Sequence, residues 1–203
     1  MKISVIIPLA PNETKHHSLI ASLPEGLEII TSQEGSRAAS LNAGAAKATG
    51  DYLWFLHADS ELHAACILAL TGAITHSPDA LYYFNLAFKN DATPLMALNA
   101  LGVWFRSHLL GVPFGDQGLC IKKEHFERIG GFPEGLAYGE DHVFVWRVRQ
   151  SGIKLKATGA TLTTSARKYQ THGWLATTFK HQYLWVIQAW PEWIRLLKTR
   201  AAL

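Results

Sequence analysis

Two short segments carry acidic side chains in arrangements that could act on a ligand. The first is His57-Ala58-Asp59, directly after the apolar run Tyr52-Leu53-Trp54-Phe55-Leu56. A carboxylate at a strand end, with a second potential ligand two residues before it, can hold a divalent cation against a diphosphate. Hard cations such as magnesium or manganese take oxygen ligands and often complete their shell with substrate phosphates. The same residues also suit a loop in which Asp59 caps the next helix, and the segment alone does not choose between the two. The second is Glu140-Asp141, at the start of a helix. The macrodipole favours carboxylates there, so capping accounts for the pair. Chemistry would instead use one of them as a general base, taking a proton from an attacking hydroxyl. Gly130, Gly131, Gly135 and Gly139 precede the pair and would let the backbone come close to a substrate.

Three further groups are weaker. Arg37 opens an Ala-rich helix, where backbone N–H groups and a guanidinium could bind phosphate together; a surface arginine is the plainer alternative. Asp116-Gln117 follows Phe114-Gly115 and offers hydrogen-bonding groups in a loop, which ordinary turn chemistry also explains. Arg167-Lys168-Tyr169 and His172-Gly173-Trp174 form a basic-aromatic cluster that suits a diphosphate or a sugar face, or simply a solvated basic face.

The elements that must position these groups follow from periodicity. Ile3 to Leu9 is a β-branched run, as in a strand buried on both faces. A short helix is expected over 14–22 and a second strand over 27–31. Ser36 is a plausible N-cap for the Ala-rich helix 37–49, closed by Gly50, whose small residues would let it lie close to a sheet. A third strand covers 51–56, a helix 62–75 and a strand 80–88. This alternation argues for a mostly parallel α/β sheet, where ligands bind beyond the carboxyl ends of the strands. Asp59 lies at such an end. Farther on, helices are expected over 94–110, 123–129 and 140–150, a strand over 118–122 and a strand pair over 154–164. A Trp-rich helical tail over 174–203 should break at Pro191.

Bulk properties narrow the classes. A chain of 203 residues with 48% hydrophobic and 17% charged residues suits one globular domain, 1–203. The net charge of +3 is compatible with anionic partners, but no dense Lys/Arg cluster marks a nucleic-acid binder. Cys66 and Cys120 lie far apart in apolar stretches without metal-ligand spacing, so buried reduced thiols in a cytoplasmic protein are expected. The N-terminal apolar run is too short for a signal peptide, and no stretch is long enough to cross a membrane.

Taken in order, the segments SVIIP (4–8), GSRAASLNAGAAKATGDYLWFLHADS (35–60), FGDQGLCIKKEHFERIGGFPE (114–134) and GEDHVFVWRVRQSG (139–152) resemble the inverting family 2 glycosyltransferases of the GT-A fold. TSARKYQTHGW (164–174) is similar to a small bacterial subgroup associated with radical-SAM/selenodomain proteins, with Tyr169 in place of its Trp. The resemblance implies a single GT-A-like, Rossmann-like domain that transfers a sugar from a nucleoside-diphosphate sugar to a hydroxyl acceptor with inversion. It implies a divalent metal, Mn2+ or Mg2+, at Asp59, with His57 replacing the family's first aspartate. Asp141, preceded by Glu140, falls at the catalytic base. Glu13, Arg37, Asn42 and Arg167 fall at donor-binding positions, and Asp116, Gln117 and Trp174 beside the acceptor.

One departure stands out. The family's acidic V-D-G-G-S-x-D-x-T segment has no counterpart, because Ile29-Ile30-Thr31-Ser32 runs directly into Gln33-Glu34-Gly35-Ser36-Arg37. Glu13 or Glu34 would then have to replace the base-binding carboxylate. The shortened region also admits a second reading, a non-catalytic nucleotide- or sugar-binding scaffold. A pyrophosphorylase would need a Gly-rich phosphate loop that residues 8–16 lack. In the tail, Trp185, Trp190 and Trp193 stand near Arg195, Lys198 and Arg200, a pattern shared by a helix packed on the domain or at a dimer contact and by one lying on the inner membrane surface to meet a lipid-linked acceptor.

Overall fold

The computed structural model describes residues 1–89, 94–166, 169, 171 and 173–201, with Arg200 as backbone only. The elements are β1 (Ile3–Pro8), α1 (His16–Ser22), β2 (Glu28–Ser32), α2 (Arg37–Lys47), β3 (Tyr52–Phe55), α3 (Ala64–His76), β4 (Ala80–Phe88) and α4 (Met96–His108). They continue with a 3-10 turn (Gly115–Gln117), β5 (Cys120–Lys122), α5 (Lys123–Ile129), α6 (Glu140–Gln150), β6 (Lys154–Thr164) and α7 (Trp174–Ala201).

The strands form one six-stranded sheet in the order β2-β1-β3-β5-β4-β6. The pairs β2–β1, β1–β3 and β4–β6 are parallel; β5 runs antiparallel to both β3 and β4. This is the expected α/β architecture, with a mostly parallel sheet, flanking helices and a helical C-terminal segment. Side-chain alternation along the strands builds two cores. Ile6, Leu53, Phe55, Tyr83 and Ile121 face α2, α5 and α6 through Leu41, Phe126 and Phe144, with Phe132 of the loop between α5 and α6 packed among them. Val5, Ile7, Trp54, Tyr82 and Phe84 face α1 and α3 through Leu19, Cys66 and Leu70. Cys66 and Cys120 are buried free thiols, as expected.

Helix α2 starts where the sequence placed it, because the Ser36 hydroxyl accepts the Ala39 N–H at 3.1 Å. It sits close to β1: a Cβ at Gly44 would stand 2.6 Å from Ile6.

Two expectations are corrected. Residues 154–164 form one strand, not a pair; it runs alongside β4 with a register shift opposite Tyr83 and Asn85, and Gly159 absorbs it at φ +83°. The tail does not break at Pro191, since α7 continues through it. The lost N–H leaves the carbonyl of Ile187 without its helical partner, and because Pro191 and Ile187 are both exposed, water can take that bond.

Candidate active site

The arrangement of strands brings three loops to one edge of the sheet. β3 and β4 run parallel to each other, so their carboxyl ends lie on that edge. The intervening β5 is antiparallel, so the loop entering it arrives there too. The first loop, His57–Ser60, closes with the Ser60 N–H on the His57 carbonyl at 3.0 Å. It is fastened to the end of β6 by paired bonds between Glu61 and Thr163, 2.8 and 3.2 Å. The second loop, 112–117, is fixed by Gln117: its Nε2 donates to the Phe84 carbonyl at 2.9 Å and its Oε1 accepts the Phe114 N–H at 3.1 Å. The third is the start of α6, with Glu140 and Asp141 in its first turn.

Asp141 stands where the loops meet. Its Oδ2 accepts the Gly115 N–H at 2.6 Å and lies 3.4 Å from Arg37 Nη2, while its Oδ1 accepts the His142 N–H at 2.8 Å. Arg37 Nε also donates to Glu140, and Nη1 lies 3.4 Å from His57 Nε2. The guanidinium at the start of α2 therefore ties α6 to the loop after β3. Asp141 is only 7% exposed. Burial pushes its carboxyl up, but Arg37, the two N–H donors and nearby His57 outweigh that and hold it below the usual carboxylate range. The same two carboxylates raise the Arg37 guanidinium against the opposing effect of burial. Gly115 is required by space: a Cβ there would lie 2.8 Å from Asp141 Oδ2 and 3.1 Å from His57 Nε2.

Next to this network lie two more ionisable groups, Asp116 and Arg106, the second marked by no motif in the sequence. Burial pushes the Asp116 carboxyl up; Arg106 opposes the shift and Asp141 adds to it. Arg106 comes from α4, is 7% exposed, and places its guanidinium carbon 3.1 Å over the Phe114 ring. Burial lowers it to about 10. Arg106 Nη1 and Asp116 Oδ1 are both buried without a hydrogen-bond partner. A lone arginine in an apolar helix reads as a surface residue, so only its inward rotation in the fold marks Arg106. His142, beneath Asp141, is held neutral by burial, down to about 4, and accepts the Trp146 indole N–H at 2.8 Å.

The remaining expected positions are not all in this network. Asn42 is used internally: its Nδ2 donates to the Phe132 carbonyl at 2.9 Å and to Glu134 at 2.8 Å, and its Oδ1 accepts the Phe132 N–H at 2.9 Å. Gly131, at φ +68°, lies so close that a Cβ would stand 2.7 Å from that Oδ1. Asn42 thus clamps the glycine loop to α2. Gln117 is likewise fully buried and props its loop. Glu13 accepts the Lys15 N–H at 2.8 Å beyond the end of β1. Trp174, at the start of α7, donates its indole N–H to Asn99 of α4 at 2.9 Å. Arg167 lies outside the described residues.

For a metal, the residues fit only in part. Among the described residues no group of three His, Cys, Asp or Glu side chains converges on one point. His57, expected as a ligand, turns Nε2 towards a guanidinium, which disfavours a cation there. The half-buried Asp59 carboxylate makes no hydrogen bond or ion pair among the described residues and remains available. Such a lone carboxylate suits a cation shared with a ligand's phosphates, not one held in a protein cage.

Among solved structures, the chain is similar to S. aureus TarS residues 1–349, with a TM-score of 0.63 and 15% identity over 81% of this chain and 60% of that one. It is similar also to a longer S. aureus TarS structure, with a TM-score of 0.60 and 15% identity over 82% of this chain and 37% of that one. The chain thus spans less than two thirds of either structure's length, and at this identity the likeness is one of fold. No curated protein matches in sequence. The profile of glycosyl transferase family 2 matches residues 14–132, more than half of the chain and including Arg37, His57, Asp59, Arg106 and Asp116; the chain belongs to that family.

Proposed function

We propose that the protein is an inverting glycosyltransferase, moving a sugar from a nucleoside-diphosphate sugar to a hydroxyl on a small or lipid-linked acceptor. The observation that carries this reading is the Asp141 carboxylate, kept ionised by Arg37 and two backbone N–H groups at the edge of the sheet where the Asp59 loop also ends. An ionised, fixed carboxylate is what an attacking hydroxyl needs as a proton acceptor. Asp141 takes the proton as the acceptor oxygen bonds to the anomeric carbon. The bond from that carbon to the diphosphate breaks on the opposite face, its electron pair leaving with the phosphate oxygen. No covalent enzyme intermediate forms.

Arg37 positions Asp141, and Glu140 shares its charge. Arg106 Nη1 and Asp116 Oδ1, buried without partners, suit the hydroxyls of the acceptor. Glu13, beyond the β1 end, borders the donor side. A divalent cation, Mn2+ or Mg2+, held by Asp59 with the donor's phosphates would stabilise negative charge on the leaving diphosphate. The buried thiols suit a cytoplasmic setting.

A second reading, a binding or scaffold protein without turnover, is favoured by the direct passage from β2 into α2, which leaves the sheet edge beyond β2 short of one strand-helix step relative to the family pattern. Thermal melting against a panel of nucleoside diphosphates, with and without manganese, separates the two. A manganese-dependent rise for one nucleotide, together with hydrolysis of its sugar that Asp141→Asn abolishes, is the expected result. Binding without any turnover in the wild type would leave the scaffold reading in place.

A further inference from the structure

The outer surfaces of α4 and α7 are apolar in a patterned way. On α7, Leu175, Phe179, Tyr183, Val186, Trp190 and Trp193 are all exposed, Phe179 to 71% and Trp190 to 62%. At about 100° per residue these six fall within roughly 80° of arc, a single stripe along the helix. Its outward direction is fixed by what holds the opposite side. Gln188 donates to the Tyr138 carbonyl at 2.9 Å, Gln150 of α6 donates to the Glu192 carbonyl at 3.1 Å, and Leu196 is buried in the core. The helix is packed on the domain and still presents an apolar face. On α4, Leu98, Leu101 and Phe105 form a second exposed stripe. Asn99 bonds to both Trp174 and Thr178, so the two helices meet.

The charges decide what this face fits. Helix α7 carries Lys180, Arg195, Lys198 and Arg200, and its single acid, Glu192, is buried and paired with Arg195 at 2.5 Å. Helix α4 has no acid. Lys180 and Lys198, both exposed, fall on the same edge of the stripe, roughly 60° beyond Tyr183. A second copy docking through the same face would offer these lysines no exposed acid from α4 or α7 and leave them uncompensated. An anionic bilayer surface satisfies both features: aromatic rings and leucines enter the headgroup boundary while the lysines meet lipid phosphates.

We infer that α4 and α7 form a docking face for an anionic membrane surface, on the side of the domain that supplies Arg106 to the site. Docking rests only on this face. That the acceptor is lipid-borne rests in addition on the transferase reading. No helix among the described residues is long and apolar enough to cross a membrane, so the contact is interfacial.

The test is co-sedimentation of the full chain with phosphatidylcholine vesicles, with and without phosphatidylglycerol, alongside tryptophan fluorescence. The wild type binds the anionic vesicles with a blue shift, and more weakly as salt is raised. F179E/W190E loses at least about tenfold in binding, and K180Q/K198Q loses roughly 25-fold on anionic vesicles while barely changing on neutral ones. Melting curves show that each variant is folded; should F179E/W190E not fold, L98E/L101E repeats the test on α4. Equal binding by wild type and variants, or no binding by the wild type, overturns the inference. So does a stable dimer, in sedimentation velocity, that F179E/W190E dissociates. Nucleotide binding is measured on the same samples: its absence from the wild type would sink the transferase reading and leave the vesicle result standing.

Discussion

Replacing Arg37 with glutamine removes a cation that faces both carboxylates of α6. Two unit charges 3.4 Å apart, the separation of Arg37 Nη2 and Asp141 Oδ2, attract by about 5 kcal/mol at an effective dielectric of 20 and about 1 kcal/mol in water. The Arg37 side chain is 41% exposed, so the value belongs towards the lower end, and about 2 kcal/mol of stability is expected to be lost at neutral pH. For a domain of this size that lowers Tm by roughly 4–8 °C. The pH dependence gives the sharper signature. In the wild type the Asp141 carboxyl lies below its ordinary range, so its ionised form contributes stability above that range and loses it as pH falls through the depressed value. In R37Q burial is no longer outweighed, the carboxyl moves up, and its charge becomes a cost at neutral pH. The Tm gap between wild type and variant should therefore be widest near neutrality and close as the pH falls into the carboxylate range. The acid limb of kcat/KM for donor hydrolysis should move to higher pH in the variant. A gap that stays constant with pH, with an unmoved acid limb, would refute the idea that Arg37 keeps Asp141 ionised.

Three further perturbations test the rest of the site. Gly115→Ala drives a methyl against Asp141 Oδ2 and His57; it should cost about 1–3 kcal/mol in melting experiments and remove most turnover, and a fully active variant would contradict the close packing. Asn42→Ala deletes three hydrogen bonds to the glycine loop and should lower stability by roughly 2–3 kcal/mol without changing the nucleotide Kd per folded molecule; a large Kd change with unchanged Tm would restore Asn42 to the donor site. Asp59→Ala should weaken nucleoside-diphosphate binding only when manganese is present, and an equal loss in chelator would remove Asp59 from the metal role.

Periodicity and capping were enough to place nearly every element, because both are local. The β1 run, the Ser36 cap and the strand-helix alternation each depend on residues a few positions apart. The same locality explains the two misses: a register shift around Gly159 is set by the β4 partner, and passage of α7 through Pro191 depends on exposure, which no short window reports. For the site, residue types alone named Asp141, Glu140, Arg37, His57, Asp59 and Asp116. What each one touches was decided by contacts across long sequence separations. Arg37 meets Glu140 across 103 positions and Asn42 meets Phe132 across 90. Those contacts made Arg37 the counter-charge of the α6 carboxylates, turned His57 towards it, and engaged Asn42 and Gln117 in holding their loops. Arg106 came into view only through the rotation of α4, which hides a guanidinium inside while its leucines face out. Sequence determined which groups are present and on which element; burial and apposition, properties of the packed sheet and its helices, decided which of them share a charge and which remain open to a ligand.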